Sequence, residues 1–193
     1  MMDNKENGEQ KKWYQGISKY QWLVLLIASL GWVFDIFEGQ IFVASMRDAM
    51  PQLLNVGSAD NPEVASWSNY SFASFLLGGA FGGVLFGVMS DRIGRSKTLI
   101  FTILFYSVFT ALTALASEAW HMVVLRFLVA MGVGGEWAVA SAMVAEVMPK
   151  RSRAVMSSIF HASSVFGTLL AAAVGYFILA AKPWGESTWK LGF

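Results

Sequence analysis

The sequence predicts an all-α membrane protein with about five spanning helices, and three observations carry that expectation. Hydrophobic residues make up 55% of the 193 residues and charged residues only 14%, with a mean hydropathy of +0.51. An ordinary soluble domain runs nearer a quarter charged. The apolar residues gather in five stretches, each near or above the ~20 residues a helix needs to cross ~30 Å of hydrocarbon. Ten of the 14 Lys and Arg residues then fall on one side of those stretches, as the positive-inside rule requires of cytoplasmic loops. Composition also removes other classes. An aromatic content of 15% excludes disorder, because disordered chains lack apolar surface. A net charge of +1 gives no nucleic-acid footprint, and the absence of Cys excludes disulfide frameworks, thiol catalysis and Cys-ligated metals.

The elements follow in order. Residues 1–20 are polar and Lys-bearing, with no small-x-small cleavage site, so they read as a cytoplasmic amino-terminal segment and not a removable signal. A five-helix transmembrane domain over 21–181 follows. Its apolar stretches are Gln21 to Val43, Trp67 to Met89, Thr98 to Ala116, Trp120 to about Glu146, and Ala154 to Ala181. The second, third and fifth contain no Asp, Glu, Lys or Arg. Gly78, Gly79, Gly82, Gly83 and Gly87 form a strip of the kind that lets membrane helices approach closely, and Gly167, Ala171 and Gly175 repeat it. Residues 182–193 read as an outer loop and the start of a sixth helix. Lys5, Lys11, Lys12 and Lys19 precede the first stretch; Arg92, Arg95 and Lys97 separate the second and third; Lys150, Arg151 and Arg153 separate the fourth and fifth. This places the amino terminus in the cytoplasm of a multi-pass plasma-membrane protein, or of the inner membrane in a Gram-negative cell.

Ionisable groups at membrane depth cost several kcal/mol and mark ion or solute pathways. Asp35 and Glu38 lie in the first stretch, three residues apart and therefore on one helix face; Arg126 and Glu136 lie in the fourth. A rise of 1.5 Å per residue puts Asp35 ~21 Å and Glu38 ~25 Å from the cytoplasmic edge. Counting down from Trp120 through a ~30 Å core puts Arg126 at ~21 Å and Glu136 only ~6 Å from that same edge. Asp35 and Arg126 are thus expected to pair. Protonating the acid would release the Arg, a workable proton-coupling switch, while a static pair that locks two helices is the alternative. Glu136 reads as too shallow to join that pair, leaving a contact with loop arginines or a solute role. His161 could relay protons or simply bond to neighbouring backbone. Ser163 and Ser164 lie near His161 but only partly share its face, and no third orienting group accompanies them, so an intramembrane enzyme is not expected.

Between the second and third stretches runs Gly87-Val-Met-Ser-Asp91-Arg92-Ile-Gly94-Arg95-Ser-Lys97. Gly94 supplies the φ > 0 that so short a turn needs, and Asp91 stands where it could cap the third helix. The order resembles the G-xxx-[DN]-[RK]-x-G-R-[RK] hallmark of the major facilitator superfamily, with Ser96 in place of the final basic residue. Arg126-Phe-Leu-Val-Ala-Met-Gly132-Val-Gly134-Gly135-Glu136-Trp137 continues the resemblance. Glu146-Val-Met-Pro149-Lys-Arg-Ser-Arg153 is similar to the E-xx-P-xxx-R that ends the fourth helix of sugar and metabolite porters. Gly-Gly-Glu-Trp and the acid pair look like the metabolite, sialate and aromatic-acid proton symporter branches; against the D-xx-D of the last, Asp35 matches and Glu38 departs.

The resemblance implies a secondary active transporter, not an enzyme, with twelve helices in two halves, of which this sequence covers five and the approach to the sixth. It implies proton-coupled symport of a small organic acid or related metabolite, with Asp35, Glu38 and Arg126 at the coupling or solute site and Glu136 and His161 in the cavity. It further implies a gating network of Gly87, Asp91, Arg92, Gly94, Arg95, Glu146 and Arg153. The partners it implies are the lipid bilayer, the solute and the missing carboxy-terminal half, without nucleic acid; no cofactor is expected beyond the coupling proton. An uncoupled facilitator, or a truncated inactive fragment or scaffold, are the alternatives.

Overall fold

The computed structural model describes residues 13–179 and 185–192. Lys5, Lys11 and Lys12, on which part of the charge reading rests, and Ala181, where the fifth stretch is expected to end, lie outside them. The described residues are helical with no strand: α1 (Lys19–Leu53), α2 (Pro62–Ile93), α3 (Arg95–Thr113), α4 (Ala119–Val147), α5 (Arg153–Ala162) and α6 (Ser164–Val174). A π-helical turn, Gly175–Leu179, and a 3-10 helix, Gly185–Gly192, complete them. Five helices are long and apolar enough to cross a membrane, with α5 and α6 counted as one run.

Several boundaries move outward from the apolar stretches because polar residues at the ends cap them. Ser18 and Gln21 form a reciprocal capping box on α1, which satisfies two otherwise orphaned backbone N–H groups. α1 then continues ten residues past Val43 to Leu53, since Met46, Ala49, Met50 and Leu53 keep turning toward the interior and are buried. α2 begins at Pro62, with the side chain of Asn61 accepting from the Glu63 N–H at 2.9 Å; Pro is at home in the first turn, where its missing N–H is not needed. The fifth stretch is not one helix. At Ser163 the hydroxyl donates to the carbonyl of Phe160 at 2.6 Å and to that of Ser29 on α1 at 3.3 Å, a back-bond of the kind that bends helices. The described part of the carboxy-terminal segment is the 3-10 helix Gly185–Gly192, which packs against α1. Its Trp189 is buried, donating to Gln52 of α1 at 2.9 Å.

α4 is the centre of the bundle, packed on α1, α2, α3 and α5, while α6 lies along α1. The glycine strip explains the closest of these contacts. A Cβ at Gly78 or Gly82 would collide with the backbone of Phe127 or Met131, and one at Gly134 with the backbone of Gly79. α2 and α4 therefore touch backbone to backbone, the geometry that small residues permit in a membrane. Gly167 performs the same service for α6, where a Cβ would meet the carbonyl of Val33.

The core divides into two apolar clusters. One, toward the amino-terminal end of the bundle, joins Val24, Leu25 and Ala28 to Leu99, Val139, Met143, Met156 and Phe160. The other, at the opposite end, joins Phe42, Met46 and Met50 to Val64, Ala119, Met122 and Trp189. Between them lies a layer of buried polar side chains.

Candidate functional site

That layer contains the four charged residues singled out at membrane depth, though not His161. Asp35 and Glu136 are 2% exposed, Glu38 6% and Arg126 0%. The pairing differs from the sequence expectation. Arg126 donates through Nη1 to Oε1 of Glu38, not to Asp35, and through Nη2 to the hydroxyl of Thr113 on α3 at 2.8 Å. Its guanidinium also stands 4.8 Å from the centre of the Phe42 ring. The reason is the level of the helices. Gln21 of α1 donates to the carbonyl of Val147 at 2.7 Å, so the start of α1 is level with the end of α4. Measured from that common end, Glu38 stands at ~25 Å and Arg126 at ~31 Å, whereas Asp35 stands at ~21 Å and Glu136 at ~16 Å. Converting depths through a ~30 Å core had drawn Arg126 and Glu136 too near the cytoplasmic edge, because α4 is 29 residues long and thus ~43 Å.

The same correction brings Glu136 to Asp35. The carboxyl of Glu136 occupies the space beside Gly31, one turn before Asp35; a Cβ there would collide with its Oε1. The hydroxyl of Tyr106 faces Asp35 from α3. Among the described residues, neither oxygen of Asp35, nor Oε2 of Glu136 or Glu38, accepts a hydrogen bond of full geometry.

Sequence reasoning missed Tyr106 and Thr113, because the third stretch holds no charged residue to draw attention to it. The signal was present as a stripe: Thr98, Thr102, Tyr106 and Thr113 recur at helical spacing, and the three threonines are completely buried. Polar residues every three to four positions in a charge-free span mark the face turned from lipid.

Beside the polar layer, α1, α2 and α4 enclose an apolar cleft of about 580 Å³, lined by Trp32, Phe75, Gly79, Gly83, Gly134 and Trp137. Trp32 and Trp137 are the chain neighbours of Gly31 and Glu136, so one residue step separates the cleft wall from the acid cluster. His161 of α5 is exposed and contacts the same two indoles, its ring centroid 6.4 Å from Trp32 and 6.2 Å from Trp137. The Ser163 hydroxyl, bonded to the two backbone carbonyls, is not set up as a nucleophile beside it.

At the amino-terminal end, Arg95 brings together three elements. Its Nη2 pairs with Asp91 at 2.8 Å and with Glu146 at 2.7 Å, and its Nη1 donates to Ser90. Ser90 in turn donates to the carbonyl of Gly87 at 2.7 Å. Asp91 does not cap α3: it lies in the last turn of α2, and Gly94, at φ 96° and ψ 150°, closes α2 and opens α3 with no side-chain cap. That conformation is essentially restricted to Gly. Arg92 and Arg153 are exposed and, among the described residues, make no ion pair. Arg153 begins α5 beyond the turn at Pro149.

Comparison with known proteins places these features. A family model described as "Sugar (and other) transporter" matches residues 19–193. A niacin transporter of Acinetobacter baylyi is 30% identical over 168 residues, covering 87% of this chain and 36% of that protein. A sialic acid transporter of Escherichia coli is 29% identical over 166 residues, covering 84% of this chain and 38% of its own length. The inward-open structure of the Escherichia coli xylose transporter superposes with a TM-score of 0.76 at 22% identity, over 90% of this chain and 44% of that one. The chain therefore spans about two fifths of the length of the curated relatives it matches.

Proposed function

The chain belongs to the sugar and other transporter family of the major facilitator superfamily, a family of membrane carriers and not of enzymes, and on that premise we propose that it forms part of a proton-coupled symporter for a small organic acid. The observation that carries this reading is the buried polar layer, with its Glu38–Arg126 ion pair and the carboxyl of Asp35 left without a full hydrogen bond between two apolar clusters. A buried acid without a compensating partner is a group whose protonation state matters energetically. Arg126 supplies the countercharge: protonation within the layer weakens its hold on the acids and frees the guanidinium to move. The named substrates of two relatives, niacin and sialic acid, are both carboxylates, which supports an organic acid as solute.

In this reading the apolar cleft is one wall of a central cavity, and the sequence beyond this chain supplies the other wall. Rocking of the two halves exposes the cavity alternately to each side. The Asp91–Arg95–Glu146 cluster, which ties α2, α3 and α4 together, latches the cytoplasmic mouth. The distribution of Lys and Arg supports a cytoplasmic amino terminus.

The test is uptake by proteoliposomes holding a carrier that contains this chain, presented with small carboxylic acids under an imposed pH gradient. Accumulation that follows the gradient, with alkalinisation of the external medium, is the expected outcome. Uptake indifferent to the gradient would establish an uncoupled facilitator instead.

A further inference from the structure

We propose that residues 13–21 form a strap that holds the last turn of α4, with Gln21 and Ser152 as positioning residues for Glu146 and, through it, for the Arg95 cluster. What the strap means for transport rests on the reading of that cluster as a latch, but the strap itself is a property of this chain and is measured without transport.

Three contacts build the strap, in sequence order. The carbonyl of Trp13 accepts from the hydroxyl of Ser152. Ile17 packs on the apolar cluster that includes Met148 and Met156. Nε2 of Gln21 donates to the carbonyl of Val147 at 2.7 Å. The two polar contacts thus grip the α4–α5 connection on either side of Pro149. Ser152 is only 2% exposed, and a buried hydroxyl requires a partner. The Trp13 side chain is exposed, so the backbone carbonyl and not the indole fixes that end of the strap. Between the contacts the chain turns at Gly16, whose φ of 88° is a conformation that side chains oppose.

The end of α4 needs such a partner. The last carbonyls of a helix have no N–H of their own helix to accept from, and α4 stops where Met148 turns extended, at φ −79° and ψ 141°, ahead of Pro149, which cannot continue a helix. Gln21 supplies the donor for Val147. Its Oε1 meanwhile accepts from the Ser18 N–H at 2.9 Å, so one side-chain amide joins the start of α1 to the end of α4.

Glu146 is the chain neighbour of Val147, and its carboxylate leaves the same turn to meet Arg95 at 2.7 Å. The last turn of α4 is therefore held by the strap through its backbone and by Arg95 through its side chain. Two hydrogen bonds and one half-buried Ile are weak enough to open without unfolding the bundle. Opening the strap frees the turn to shift, and Glu146 shifts with it.

Hydrogen exchange of a carrier containing this chain, held in lipid nanodiscs and followed by mass spectrometry, tests this. The reporters at the α4–α5 turn are the amides of Met148, Ser152 and Arg153, which donate to the carbonyls of Val144 and Pro149. Those at the α2–α3 turn are the amides of Gly94 and Thr98, which donate to the carbonyls of Ser90 and Gly94. Ser152→Ala removes one contact of the strap; Gln21→Glu removes the other while keeping the acceptor for Ser18. Each should quicken exchange at both turns about fivefold, the weight of one hydrogen bond in an opening equilibrium. Gly16→Ala, which strains the turn of the strap and touches neither contact, should act in the same direction. In a Glu146→Ala background the same variants should still act on the α4–α5 turn and no longer on the α2–α3 turn. Exchange that is unchanged, raised only at the α4–α5 turn with Glu146 present, or raised evenly over all helices would each overturn the proposal. The expected pattern combined with unaltered transport by Glu146→Ala would sink only the latch reading.

Discussion

At the scale of single residues, three buried carboxyls and one buried guanidinium set the energetics of the polar layer. Asp35, Glu38, Arg126 and Glu136 announce themselves because charges inside apolar stretches are expensive. Which acid meets Arg126 depends on how far α1 and α4 slide past one another, and that is fixed by end contacts such as Gln21 to Val147, which no single-sequence pattern reveals. The pair that does form, Glu38 with Arg126, is buried on both sides. Removing one partner from such a pair is far more damaging than replacing both with apolar residues of similar volume. Glu38→Gln should therefore destabilise the purified protein by ~3–5 kcal/mol, and Glu38→Met combined with Arg126→Met should restore much of that loss. Denaturant titration in detergent checks the order: a double variant less stable than the single one would mean that the pair contributes net stability and is not an isolated liability.

At the scale of elements, existence and type of all five apolar runs were readable from hydropathy, and the glycine strip on α2 correctly foretold close packing. Its partner was not readable. The carbonyls of Phe127 and Met131 that receive Gly78 and Gly82 belong to α4, and only the assembled bundle shows that contact. The break at Ser163 also escaped hydropathy, because a helix bent by one hydroxyl remains apolar on both sides of the bend. Filling the α2–α4 seam is the direct probe of that interface. Gly82→Leu forces a side chain into the backbone of Met131 and should cost at least the ~1–3 kcal/mol typical of overpacking. Gly87→Ala meets nothing within 4 Å and should be nearly neutral. Thermal unfolding of the two variants distinguishes them, and equal stability would mean that α2 and α4 do not pack as described.

At the scale of the whole molecule, the chain is a helical bundle built around a polar layer, with an apolar cleft on one side of it and an arginine-centred ion-pair cluster at one end. The motif order between Gly87 and Arg95 was sufficient to reach the superfamily from sequence, whereas the cleft, made of residues from α1, α2 and α4 with no common pattern, was not. Orientation is open to a clean test, since the sequence has no Cys to remove. With a membrane-impermeant thiol reagent on intact cells, Ser58→Cys in the loop between α1 and α2 should label and Arg92→Cys should not; the reverse pattern would invert the topology. The central claim, that protons held in the buried layer drive solute movement, is tested most directly by comparing two activities of a carrier containing this chain with Asp35→Asn. The account predicts that exchange of labelled for unlabelled solute persists while accumulation driven by a pH gradient is lost; undiminished gradient-driven accumulation would contradict it.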